Sequence, residues 1–192
     1  MRKSKKIISL VLTFVMMLAI FVPALTNAAD GQKTKVIIHK ILMKDENALK
    51  NHNDDNKNPK YDGNQINNIT NYFGEGSKEI VGVAFDIYKE GDEGIQGDNA
   101  IFGGVADSTK KYKKVGDTVL TKANGAEFKD LENGTYIIVE NREKTTYVGE
   151  NGKSLSNTKA VPAKITLPMT LSDGSGYFNN ADKPLHLYPK NT

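Results

Sequence analysis

A lysine, an asparagine and a carboxylic acid can form a covalent bond without an enzyme when they meet in a dry interior. The lysine must be unprotonated, its amine must lie against the carboxamide carbon, and the acid must shuttle protons and polarise the carbonyl. Burial serves two of these needs, because it lowers a lysine's pKa and raises a carboxylic acid's. Fixed positioning supplies much of the rest. One set in this chain has suitable alternation. Lys40 shares a face with Val36 and Ile38, Glu140 shares one with Tyr136 and Ile138, and Asn191 lies on the side of Leu185, Leu187 and Pro189. A second lysine, Lys190, has the opposite parity: if Asn191 points inward, Lys190 points outward. Alternation yields parity and not register, since a bulge would flip a side chain. Either face of the first run can be the inner one, and if it is the Val36 face, a lysine lies among core residues and needs a partner.

Other chemistries find little support. His39, His52 and His186 do not form a His-Glu-x-x-His or His/Cys metal pattern, and His39 and His186 read as exposed sheet residues. The serines lie in no nucleophile elbow. Asp92, Glu93 and Asp98 do not have the spacing of the standard calcium loop and read as a solvated hairpin tip. Leu167-Pro168-Met169-Thr170-Leu171 has leucine where a sortase pentapeptide needs glycine, so it reads as a strand end. No enzyme, cofactor or metal site is expected. Cysteine is absent, which removes disulfides and thiol catalysis and leaves stability to the core or to another kind of cross-link.

The elements that would position these residues are mostly strands. Thr34 to Leu42, Ile80 to Lys89, Leu131 to Glu140 and Ala160 to Leu167 are rich in β-branched and aromatic residues, and Leu185 to Tyr188 alternates. Short extended pieces at 118–120 and 126–128 flank an Asn124-Gly125 turn, and Asp173 to Gly176 is another turn. Ile66, Ile69 and Phe73 recur at helical spacing before Gly74. Asp45 to Asp62 is a polar, asparagine-rich insertion with at most a short helix at 46–50. The expected class is all-β: an immunoglobulin-like sandwich with a short helix and a polar insertion.

The first 29 residues read as a secretory leader. Arg2, Lys3, Lys5 and Lys6 precede an apolar run from Ile7 to Val22, and small residues at Thr26 and Ala28 suit cleavage after Ala28 or Ala29. Residues 30–192 then form one domain. The whole chain has 26 basic and 23 acidic residues, but four basic and no acidic ones fall in the leader, so the remainder carries a net charge of −1. No basic patch interleaved with aromatics suggests nucleic acid as a partner.

In its final residues, Tyr188-Pro189-Lys190-Asn191, the chain resembles the shaft pilins of Gram-positive bacteria, specifically their N-terminal (D1) domain. The Leu131-Glu132-Asn133-Gly134-Thr135-Tyr136 run ending on Glu140 is similar to the penultimate core strand of pilin and collagen-adhesin B-type domains, with Glu132 and Asn133 replacing the usual proline and its neighbour. Ala160 to Leu167 before Pro168 is similar to the strand preceding their last hairpin. The resemblance implies that a pilin-specific sortase joins Lys190 to the neighbouring pilin subunit. It also implies an internal amide between Lys40 and Asn191, assisted by Glu140, and places the protein at the cell surface in a wall-attached pilus. Shaft pilins continue into further domains and a Leu-Pro-x-Thr-Gly signal. This chain stops at Thr192, so as it stands it is expected to accept an acyl group on Lys190 without being activated itself. The alternative is an adhesin-type module on the same sandwich, its insertion contacting a host-surface or matrix protein.

Overall fold

The computed structural model describes residues 31–53, 61–152, 155 and 160–192. The expected leader, with Ala28 and Ala29, lies outside the described residues, as does the middle of the polar insertion.

Pairing between the chain's two ends builds the first sheet. The first run divides at His39 into β1 (Thr34–Ile38) and β2 (Lys40–Leu42). The last run divides at Tyr188-Pro189, where proline lacks an N–H, into β11 (Leu185–Leu187) and β12 (Lys190–Asn191). The two runs lie parallel, with Val36 opposite Leu185 and Ile41 opposite Lys190. Bonds from His39 N to Leu187 O (2.8 Å), Ile41 N to Pro189 O (2.9 Å) and Met43 N to Asn191 O (2.7 Å) carry the ladder across both breaks. On the other side, β8 (Ala126–Leu131) pairs with β1 and β3 (Lys78–Ile80) pairs with β2, both antiparallel.

The second sheet runs β10 (Ala163–Leu167), β9 (Gly134–Asn141), β4 (Ala84–Gly91), β6 (Lys111–Lys114), β5 (Ile95–Gln96), and β7 (Val119–Leu120) also pairs with β4. Its centre is the β4–β9 pair, which places Phe85 beside Glu140 and Ile87 beside Ile138. The turn into β9 is closed by the Tyr136 hydroxyl, which donates to the Glu132 carbonyl at 2.8 Å. That bond gives the spacing from Glu132 to Tyr136 a local purpose.

The expected strand from Ile80 to Lys89 is in fact two strands, one in each sheet. The chain crosses between them at Gly82, whose φ of 82° favours glycine and where a Cβ would meet Thr146 Oγ1 at 2.9 Å. Val81 therefore does not continue the inner face of Val83, Phe85 and Ile87. It is 52% exposed, whereas Val83 is fully buried.

The sheets face each other across a core that includes Val36, Ile38, Leu185 and Leu187 from one and Phe85, Ile87, Tyr136 and Ile138 from the other. Both sheets are also partly covered on their backs. Phe102, in a single turn of 3-10 helix at Ala100–Phe102, packs with Tyr88, Tyr112, Ile137 and Val139. Behind the first sheet, Phe73 of the short helix α2 (Ile69–Phe73) packs with Ile41, Met43 and Tyr188, and Leu49 of α1 (Glu46–Asn53) lies against the same cluster. Asn68 caps α2 by accepting from Asn71 N at 3.0 Å. The helix expected over Asn64 to Phe73 is confined to Ile69–Phe73, with Asn68 capping it and Asn64 to Ile66 outside, and its importance is what it covers.

Because Leu187 joins the last run to the central core, Leu187→Ala is expected to lower unfolding free energy by about 2–5 kcal/mol. Urea denaturation measures this, and a loss below about 1 kcal/mol would mean the terminal run contributes little to the core.

Candidate functional site

Lys40 belongs to the inner face of the first sheet, in line with Val36 and Ile38, and its side chain has no solvent exposure. A fully buried lysine must be partnered. Its Nζ donates to Glu140 Oε2 at 2.6 Å and to Asn191 Oδ1 at 2.8 Å. Glu140 reaches it from β9 in the facing sheet, whereas Asn191 comes from the adjacent strand β12. Residues separated by 100 and 151 positions in sequence thus converge on one amine. The second Glu140 oxygen bond comes from Ala160 N, which donates to Oε2 at 3.1 Å, while Oε1 is buried without a hydrogen-bond partner. Burial lowers the Lys40 pKa, the charge and hydrogen bond of Glu140 oppose that shift, and the Arg142 charge adds to it.

A second lysine–acid–asparagine group provides a contrast. Asp86 contacts Lys114 Nζ at 2.9 Å and accepts from Asn141 Nδ2 at 2.8 Å and Thr118 Oγ1 at 2.6 Å. The Lys114 side chain is 34% exposed, unlike that of Lys40. Burial pushes the Asp86 carboxyl up, but hydrogen bonds from Thr118, Lys114 and Asn141 outweigh this and hold it below the usual range. The residue types match those of the first group, yet water access and a stabilised carboxylate make this an ordinary ion pair.

On the other side of the same strand, the structure departs from the expected exposure. Lys190 points away from Asn191, but that face is covered. Its ammonium lies 5.8 Å from the centre of the Phe73 ring, and the residue is half-buried. Burial lowers its pKa to about 8. Tyr188 is almost fully buried, with its hydroxyl accepting from Ile66 N at 2.7 Å. His39 and His186, expected at the surface, are also buried, at 2% and 7% exposure. His39 Nδ1 lies 2.6 Å from Glu79 Oε1, and its Nε2 lies 2.8 Å from His186 Nδ1. Alternation correctly separated the two faces but offered no sign that the back would be packed. The available signal was the density of aromatic residues in the run from Tyr61 to Phe73, with Tyr188 on the matching face.

Among the described residues, no group of three or more His, Cys, Asp or Glu side chains is placed to hold a metal ion. No helix among them is long and apolar enough to cross a membrane.

An all-β sandwich of this topology, with helices behind the terminal strands, is an immunoglobulin-like pilin domain. The chain belongs to the Gram-positive pilin subunit D1, N-terminal domain family, whose model matches residues 31–192. It is similar to the solution structure of the RrgB pilus backbone D1 domain of Streptococcus pneumoniae, with 32% identity, coverage of 88% of this chain and 93% of that one, and a TM-score of 0.52. It is also similar to the full-length RrgB pilus protein of the same organism, with 31% identity over 83% of this chain and a TM-score of 0.50. The match spans 25% of that longer protein. No curated protein sequence matches the chain.

The cover over Lys190 has a measurable consequence. After reductive methylation with a ¹³C label, Lys190 is expected to titrate at about 8, well below the ordinary lysine value near 10.5. Phe73→Ala removes part of the cover and is expected to raise that midpoint by at least about one unit, the direction set by renewed hydration of the charged form. An ordinary midpoint in the unaltered chain would mean that Lys190 is in water.

Proposed function

We propose that this chain is the N-terminal domain of a cell-surface pilus subunit, presenting Lys190 as the acceptor amine for sortase-made links between neighbouring subunits. The observation that carries this reading is the opposed arrangement of two adjacent residues on the last strand. Asn191 faces Lys40 and Glu140 inside the sandwich, whereas Lys190 lies on the opposite side. The known partners and assembly route belong to whole pilins, so the sortase and the neighbouring subunit are part of the proposal.

The internal trio is proposed to condense. A proton passes from Lys40 to Glu140, leaving a neutral amine and a neutral acid, the forms that burial favours. The amine attacks Cγ of Asn191, and the acid stabilises the developing oxyanion. A C–N bond forms, the asparagine C–N bond breaks, and ammonia leaves with a proton returned through Glu140. The product is a Lys40–Asn191 amide tying the first strand to the last, with Glu140 regenerated.

Lys190 presents a different problem. At a pKa of about 8, roughly one amine in ten is neutral at pH 7, a larger share than for a lysine in water. The ring that helps keep water away also obstructs an incoming acyl-thioester, so transfer requires the Phe73 side of the site to move. Once hydrated, the amine returns toward its ordinary pKa, and the sortase must then accept its proton.

The leader is proposed to direct export. Protein recovered outside the cell is then expected to begin at Ala29 or Asp30, and an exported chain still beginning at Met1 would remove that part of the reading. Internal condensation predicts an intact mass lower by about 17 Da, the ammonia lost when a positioned amine displaces a carboxamide. Glu140→Ala should restore the higher mass, and retention of the loss in that variant would exclude Glu140 as the assisting acid. For polymer formation, Lys190→Arg is placed in the full-length subunit and expressed with its pilus sortase. Arginine keeps the charge but remains protonated, so SDS-resistant ladders should disappear while the subunit stays folded and secreted. Normal ladders would assign the acceptor role to another lysine.

A further inference from the structure

The pair of histidines behind the last strand serves no step in the proposed cross-linking, yet it is built with the care of a functional site. His39 occupies the break between β1 and β2. His186 lies in the middle of β11. Their facing nitrogens are 2.8 Å apart, and Glu79 of β3 holds the far nitrogen of His39 at 2.6 Å. The two imidazole planes differ by 21° with centroids 5.1 Å apart, and the Tyr188 ring stacks on His39 at 4.7 Å. The backbones are tied to the same place: His39 N donates to Leu187 O at 2.8 Å, and His186 N donates to Gly63 O at 2.9 Å. The unit therefore joins four segments: the first run, the last run, β3, and the 61–64 segment that leads toward α2.

Proton arithmetic limits this contact. Two imidazole nitrogens at this distance hold one hydrogen between them. With both rings neutral, His186 Nδ1–H donates to His39 Nε2, and His39 Nδ1–H donates to Glu79. One added proton keeps a single hydrogen in the gap, whichever ring carries the charge. A second added proton places a hydrogen on both facing nitrogens, and two donors cannot share a hydrogen bond.

We propose that Glu79, His39 and His186 form a positioning clamp on the last strand, which holds while one hydrogen bridges the histidines and opens when both become imidazolium. Opening frees Tyr188 from the His39 ring and loosens residues 186–190. The consequence for Lys190 rests on its proposed acceptor role; the clamp itself does not.

Burial favours the shared-proton state, and Glu79 partly opposes it. Glu79 is the carboxylate in direct contact. Tyr188 stacks on His39, and the Tyr61 hydroxyl donates to the His186 carbonyl, with Asp62 following it in the chain. From β8, Glu127 is the register partner of Ile37 and pairs with Lys129 at 3.3 Å. The turn from Lys122 to Gly125 closes over the ring, and a Cβ on Gly125 would meet His39 Cε1 at 3.2 Å. Burial, followed by the charge of His39, lowers the His186 pKa from 6.5 to about 4, with Glu79 partly opposing the shift. A histidine depressed on folding resists protonation while the unfolded chain accepts it. The clamp is therefore at full strength above about 6.5 and weakens as pH falls toward about 4.

Amide hydrogen exchange resolved by NMR tests this on the full chain without a sortase, so it succeeds or fails separately from the role of Lys190. The probes are the amides of His39, Ile41 and His186, with β4 and β9 as internal references. After correction for intrinsic exchange, protection of the probes relative to the references is expected to fall at least about tenfold between pH 7 and pH 4, the range set by protonating a buried histidine. His186→Gln keeps a polar group but cannot titrate, and should flatten that dependence. No fall in the unaltered chain, or an equal fall in His186→Gln, overturns the proposal. Ring-nitrogen spectra of the unaltered chain supply a second reading should the variant not fold. A coupled pair, with one ring resisting protonation until well below the ordinary range, supports the clamp. Two rings titrating independently near 6.5 overturn it.

Discussion

An amine without water is the constraint on which this sandwich turns. Lys40 stands where the alternation of the first strand would otherwise place an aliphatic side chain, and an isolated charge there would be prohibitively costly. The fold answers with a carboxyl group from one sheet and a carboxamide from the other sheet's terminal strand. That requirement ties together features that look separate. The chain's ends must pair in parallel so that Asn191 arrives beside Lys40, and β9 must present Glu140 across the core. Ala160 then anchors the carboxyl group through its own N–H. Removing any one contact would leave a buried polar group unsatisfied, which usually costs more than the bond itself is worth.

The Asp86 group makes clear that composition does not define such a site. Lysine, acid and asparagine meet there as well, but solvent reaches the lysine, and several donors keep the acid ionised. A proton that stays on the amine leaves no nucleophile. Dryness separates the Lys40 trio from the Asp86 ion pair.

The last strand carries two different environments on opposite sides of two adjacent residues. Inward, it contributes Leu185, Leu187 and Asn191 to the sandwich core. Outward, His186, Tyr188 and Lys190 lie beneath or beside the aromatic residues of the 61–73 segment. For the proposed acceptor role, reach and reactivity therefore oppose each other at Lys190. Burial leaves more of the amine neutral, while the same cover restricts access.

The period-two alternation of a strand is local, and it was enough to group Lys40 with Val36 and Ile38, to group Glu140 with Tyr136 and Ile138, and to set Lys190 opposite Asn191, but not to say which face of the first strand is the inner one. The chain's β-branched runs and glycine turns likewise made an all-β sandwich legible. Local pattern could not reveal that Gly82 hands one apolar run from the first sheet to the second, because nothing in the alternation changes there; a positive φ and the closeness of Thr146 require glycine at the crossing. Nor could it show what lies behind a sheet. His39, His186 and Lys190 read as outward and therefore exposed, but outward is a direction along one strand, whereas exposure depends on every segment that packs against it. The 61–73 segment, more than a hundred residues before the last strand, and the turn at Lys122 to Gly125 cover that face, withdraw water from two histidines and a lysine, and lower the pKa values of His186 and Lys190. Side-chain parity followed from the sequence by itself; only tertiary packing decided which face is inner and where the solvent lies.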